Sequence, residues 1–168
     1  MSDLIEAAGY LDDTYHRLLA SLVKEANPGS VLEIGVGNGS SMVAMASTAS
    51  RRTSFVGVDM RIQEGLRETL DAHGIKAELV ETLDFVEIPK RRADFVHLDA
   101  DHSTIGVFRE LLQVDQWNEP PKVISIHDWI DPYTKWGVTC FIMSTSSPWT
   151  VEIHPEVFNG CVVLRRGK

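Results

Sequence analysis

Apolar positions recur at helical spacing from Leu4 to Ala26, with Leu11, Tyr15, Leu18, Leu19, Leu22 and Val23 on one side, and Asn27-Pro28-Gly29 stops the pattern. The period then changes. SVLEIG (30–35) is a short continuous apolar run and predicts a buried strand, SSMVAMASTAS (40–50) a helix, TSFVGVD (53–59) a second strand and IQEGLRETLDAHG (62–74) another helix. KAELVE (76–81) predicts a third strand and ADFVHLDAD (93–101) a fourth. STIGVFRELLQVDQW (103–117) is an amphipathic helix with Ser103 as its N-cap. PKVISIHDW (121–129) is a fifth strand, and a helix follows around KWGVTCFIMSTS (135–146). WTVEIHPE (149–156) and GCVVLRR (160–166) have no helix between them, which predicts an antiparallel hairpin.

Strands alternating with helices imply an α/β fold: a doubly wound, mostly parallel seven-stranded sheet with a C-terminal antiparallel hairpin and right-handed crossovers. Such sheets bind ligands outside the carboxyl ends of their strands, at the switch point. The positions to inspect are therefore Glu33 to Gly39, Asp59, Glu81 to Asp84, Asp99 to His102 and His127 to Trp129.

The chain has 168 residues, enough for one core, so residues 1–29 are expected to be a helical segment of the same domain as 30–168. Sixteen basic against 24 acidic residues give a formal charge of -8, which disfavours nucleic acid as a partner. The basic runs SRRT, PKRRAD and LRRGK are short. No apolar run reaches membrane-spanning length and no secretory leader is visible, so no membrane partner and a cytoplasmic location are expected. Cys140 and Cys161 lack metal or redox spacing and are read as buried thiols, Cys140 on an apolar helix face.

Composition does not explain the loop GVGNG, whose glycines 35, 37 and 39 alternate. A dinucleotide fingerprint needs G-x-G-x-x-G, and here the sixth position is Ser40. Glu33 ends the strand two positions before the first glycine, where it could face a cation. S-adenosylmethionine carries an ammonium and a sulfonium and no phosphate, so a backbone-lined loop beside a carboxylate suits it better than a nicotinamide dinucleotide. Asp59 closes the second strand where an acidic side chain accepts from ribose hydroxyls.

VLEIGVGNGSS, FVGVD and ADFVHLDADHS, in this order and spacing, resemble the class I S-adenosylmethionine-dependent methyltransferases, and the terminal hairpin also matches that fold. The likeness covers roughly residues 30 to 166. It implies that Glu33 helps hold the methionine ammonium. It further implies that Gly35, Gly37, Asn38, Gly39 and Ser40 line the methionine and ribose, and that Asp59, with Met60 beside it, binds the ribose. Thr82, Leu83 and Asp84 would border the adenine, although VETLDFVEIP departs from the family's short turn and helix capping is the alternative for Thr82 and Asp84.

HLDADHS and ISIHDW bring Asp99, Asp101, His102, His127 and Asp128 to the carboxyl edge of neighbouring strands. A divalent cation there would hold an acceptor hydroxyl and lower its pKa. The sequence is similar to the metal-dependent small-molecule O-methyltransferases of the catechol and macrolide-sugar type. That likeness implies Asp99 and Asp128 as metal ligands, with His127 or Trp129 where the third would lie. Two carboxylates suit Mg2+, and Mn2+ is the alternative if His127 binds. Asp99, His102 and His127 are the candidate catalytic residues, with His102 a general base or else a loop residue. Asp101 and Ser103 are read as starting a helix and His97 as a satisfied core histidine. Trp129, Tyr133 and Trp136 pack either an acceptor or the core.

The leading expectation is methyl transfer to a hydroxyl of a small-molecule acceptor. A nicotinamide-dependent oxidoreductase and a non-catalytic cofactor-binding subunit are the competing readings, and nitrogen stays open as the methylated atom. With no long insertion to cover the acceptor, a homodimer is expected, pairing through the final strand and the N-terminal helix.

Overall fold

The computed structural model of the protein describes residues 14–82 and 93–167. Leu83, Asp84 and the first half of the expected N-terminal helix lie outside them. The strands are β1 (Ser30–Ile34), β2 (Ser54–Asp59), β3 (Ala77–Glu81), β4 (Phe95–Leu98), β5 (Val123–His127), β6 (Trp149–His154) and β7 (Cys161–Arg166). They form one sheet of order β3-β2-β1-β4-β5-β7-β6, parallel through β5 and antiparallel for β7 and β6. The expected seven-stranded architecture is the one observed. The helices are α1 (Thr14–Ala26), α2 (Ser40–Ala46), α3 (Leu66–Ala72), α4 (Thr104–Asp115) and α5 (Pro132–Ser144).

Period-two alternation sorts the core into two layers. Val31, Phe55, Phe95 and Val123 face Tyr15, Leu19, Leu22, Met42, Met45, Leu66 and Leu70 of α1, α2 and α3. Leu32, Ile34, Val96, Leu98, Ile124 and Ile126 face Val107, Leu111, Val138 and Phe141 of α4 and α5. The same alternation turns Glu33, His97, Ser125 and His127 toward the α1–α3 layer, so four polar side chains enter an apolar layer and need partners there.

Helix ends follow their residues. Ser103 caps α4 by accepting from the Gly106 N–H, as expected. Asp131 caps α5 by accepting from the Tyr133 and Thr134 N–H groups, with Pro132 in the first turn, so this helix starts three residues before Lys135. Two expectations are corrected. The last strand, β7, is not exposed: it lies between β5 and β6, and β6 forms the edge. Cys140 is exposed on the outer side of α5, whereas Cys161 is buried as expected. Among the described residues no helix is long and apolar enough to cross a membrane.

Candidate active site

β1 and β4 are neighbours at the sheet's switch point, and their carboxyl ends meet closely. The Gly35 N–H donates to the Val58 carbonyl and the Asp99 N–H to the Ile34 carbonyl, both at 2.8 Å. Gly35 has φ +87°, and a Cβ there would stand 2.2 Å from the Asp99 carbonyl oxygen, so only glycine fits. Gly39, at φ +85°, packs against Leu66 of α3. Gly37 is different: its φ is +52°, but a Cβ would meet nothing within 4 Å. Two glycines of the loop therefore serve packing and the middle one leaves space.

That space is a cleft of about 210 Å³ lined by Gly35, Gly37, Asn38, Ser40, Asp59, Met60 and Asp99, with Val36, Ser41 and Ala100 completing the wall. Asp59 holds the loop: its carboxylate accepts from the Gly37 N–H at 3.0 Å and from the Arg61 N–H at 3.2 Å. Asn38 accepts from the Ser40 N–H at 3.1 Å. Thr82 lies just past β3, where its N–H donates to the Asp59 carbonyl at 2.9 Å. Gly39 and Thr82 do not line the cleft.

Glu33 is fully buried behind this wall. The Ser41 hydroxyl donates to its Oε1, and its Oε2 has no partner among the described residues. Burial pushes its carboxyl well above the usual range, the Ser41 hydrogen bond acts against this, and the negative charges of Asp99 and Asp59 add to the rise. Ser41 was not singled out in the sequence, although its place one residue inside the helix after the glycine loop was a usable signal.

The second cluster forms where β4 and β5 end. His102 is half-exposed, and its Nδ1 lies 2.7 Å from Asp128 Oδ2. Asp99, His102 and Asp128 each offer one donor atom, and these atoms lie within 4.8 Å of one another. His127 is held elsewhere. Its Nδ1 lies 3.1 Å from Asp99 Oδ1 and its Nε2 lies 3.1 Å from the Phe158 carbonyl oxygen. Burial opposes charging this ring, but the Asp99 hydrogen bond and the charges of Asp99 and Asp128 outweigh it and raise its pKa. Both ring nitrogens of His127 thus face oxygen atoms of the protein, Asp99 Oδ1 and the Phe158 carbonyl. His102, and not His127 or half-buried Trp129, is the side chain that groups with Asp99 and Asp128.

Tyr15 of α1 covers this assembly from the other side. Its ring stacks on His127 and its hydroxyl reaches His97 Nε2 at 2.5 Å, while His97 Nδ1 lies 2.9 Å from Ser125 Oγ. Burial lowers the His97 pKa to about 4, so it is neutral, as expected of a satisfied core histidine. Nothing in the sequence pattern pointed to Tyr15 or to the Phe158 carbonyl. Asp101 accepts from the Ser103 N–H at 2.7 Å and belongs to the start of α4.

A family model described as a methyltransferase domain matches residues 32–129. The chain belongs to the methyltransferase domain family. The resemblance to class I S-adenosylmethionine-dependent methyltransferases, drawn from the glycine loop, FVGVD and the Asp99 segment, is borne out. No curated protein sequence matches the chain. Solved methyltransferase structures share the fold at low identity. A methyltransferase from Geobacter sulfurreducens is 21% identical with a TM-score of 0.74, over 94% of this chain and 80% of that one. The SAH-bound methyltransferase PaMTH1 of Podospora anserina is 15% identical with a TM-score of 0.73, over 97% and 82%. The O-methyltransferase from Bacillus cereus in complex with SAH is 17% identical with a TM-score of 0.67, over 98% and 88%.

Proposed function

We propose that this methyltransferase uses S-adenosylmethionine to methylate a hydroxyl of a small-molecule acceptor. The observation that carries the reading is that Asp99 belongs to both halves of the site: it lines the glycine cleft and is one of the three clustered side chains with His102 and Asp128. A donor bound in the cleft and an acceptor bound at the cluster are then neighbours by construction.

The residues fit the cofactor. Glu33 keeps one buried oxygen without a partner among the described residues, and a cationic ammonium is what such an oxygen lacks. Gly37 leaves open the space that a side chain would fill. Asp59, tied to the loop by Gly37, presents its carboxylate beside the cleft for ribose hydroxyls. S-adenosylmethionine, when bound, supplies an electrophilic methyl group on a sulfonium.

His102 Nδ1 lies 2.7 Å from Asp128 Oδ2, which positions the ring and makes its Nε2 the nitrogen that would take the proton of the hydroxyl. His127 has both ring nitrogens engaged, by Asp99 and by the Phe158 carbonyl, and leaves neither free to act as that base. The same Asp99, His102 and Asp128 also suit a divalent cation, and an imidazole among two carboxylates favours manganese over magnesium. Such an ion would supply Lewis acidity at the acceptor oxygen.

Calorimetric titration of S-adenosylhomocysteine into the wild-type protein and Asp59→Ala tests the cofactor assignment. Micromolar binding that the substitution weakens by ~1–3 kcal/mol is expected. A folded wild type that does not bind ends the reading.

A further inference from the structure

The helix α5 has a second apolar face. Its inner side, Thr134, Gly137, Val138 and Phe141, is buried on the sheet and on α4. Its outer side carries Tyr133, Trp136, Cys140 and Met143, at spacings that place all four on one stripe. Lys135 is the one charged residue in the helix. Tyr133, Trp136 and Met143 are 64%, 63% and 82% exposed. A helix apolar all round is normally covered all round.

The stripe continues onto α4. The Thr104 hydroxyl donates to the Tyr133 carbonyl at one end and Thr145 to Asp115 at the other, so the two helices run side by side in parallel. This register sets exposed Ile105 and half-buried Phe108 and Leu112 beside the α5 stripe. At ~200 Å² for each large side chain, the patch exposes on the order of 600 Å². Two such patches face to face bury roughly 1,200 Å², the lower bound of a specific interface.

We infer that the outer face of α4 and α5 is a two-fold interface between copies of this chain, with α5 antiparallel to its counterpart. The spacing is what selects a second copy: positions 133, 136, 140 and 143 are symmetric about residue 138. Antiparallel pairing about that point sets Tyr133 against Met143 of the partner subunit and Trp136 against Cys140 of the partner subunit. Each aromatic ring meets a sulfur, a favourable contact, and the surface is complementary to itself as an isologous interface requires. Because α5 starts at Pro132, shortly after Asp128, the second copy stands beside the acceptor side of the site.

The pairing also fixes the cysteines. The two Cys140 positions are offset by about 6 Å along axes ~8–10 Å apart, beyond disulfide reach but within that of a short bis-maleimide. Light scattering on the full chain at micromolar concentration is expected to give a dimer, and Met143→Glu to weaken it ~100-fold, about tenfold at each of two related sites. A short bis-maleimide is expected to give a covalent dimer in wild type and none in Cys140→Ser, since Cys161 is buried. A monomeric wild type, whose stripe then serves a different protein, overturns the inference. So does a dimer unaffected by Met143→Glu, or a wild-type dimer that the reagent fails to link.

Discussion

The ring of Tyr15 lies on the imidazole of His127 with centroids 4.0 Å apart and planes 20° from parallel. A residue of the first helix thereby roofs the end of the fifth strand, and its hydroxyl serves His97 at the same time. Tyr15→Phe keeps the stack and strands the buried His97 Nε2, at an expected cost of about 1–3 kcal/mol. Tyr15→Leu loses the stack as well, a further ~0.5–1.5 kcal/mol. Urea denaturation of both variants measures the two steps, and equal stability of wild type and Tyr15→Phe would show that the hydroxyl contributes nothing.

Gly35 and Gly37 separate folding from binding. At Gly35 a methyl group collides with the Asp99 carbonyl, so Gly35→Ala is expected to cost ~3 kcal/mol or more in a melting experiment. At Gly37 a methyl meets no protein atom, so Gly37→Ala costs only the ~1–2 kcal/mol of left-handed strain. It should instead weaken S-adenosylhomocysteine, because the added methyl occupies the cleft. Two variants equal in both measurements would contradict this division.

Glu110, buried on α4, has its carboxyl pushed up to about 8 by burial and by the charge of Asp101. The folded state binds this proton more tightly than the unfolded chain, so the stabilisation is complete below the unfolded pKa near 4.5 and is lost as pH rises through about 8. Stability should fall over that window by an amount on the order of 2–4 kcal/mol, and Glu110→Gln should flatten the decline. Denaturant midpoints across the range decide it. A variant whose pH profile overlays the wild type would mean that Glu110 is ionised throughout.

His102 and Asp99 are expected to divide catalysis from cofactor binding. His102→Ala is expected to slow methyl transfer about 10²–10⁴-fold with S-adenosylhomocysteine affinity unchanged, because His102 lies outside the cleft. Asp99→Ala should reduce both, since Asp99 lines the cleft. Transfer rates on an identified acceptor, set beside calorimetric affinities, check the pair. An unaffected rate in His102→Ala would remove it from the mechanism.

The sheet, its hairpin and the cleft residues Gly35, Gly37, Asp59 and Asp99 were legible because each is a local signal: a period, a turn residue or a carboxylate at a strand end. Which histidine groups with Asp99 and Asp128 was not. His127 ends one apolar strand and His102 follows another, and it is the Phe158 carbonyl, delivered by the loop before β7, that faces the second nitrogen of His127. Cys140 was misplaced for a related reason. An apolar helix carries no sign of which side is covered, and α5 is apolar on two. Tyr15 was one more apolar position in a helical repeat until α1 was laid across β4 and β5.

β7 enters the sheet between two strands that precede it in the chain. During synthesis β5 therefore waits with an open edge until Cys161 and its neighbours emerge to pair with it, His127 with Cys161 among them. The cleft beside the glycine loop is assembled from residues 35 to 100, well upstream. The nascent protein thus completes the half proposed to hold the methyl donor before the half proposed to receive the acceptor, and a stalled or clipped C-terminus leaves an unsealed strand open to a neighbouring chain.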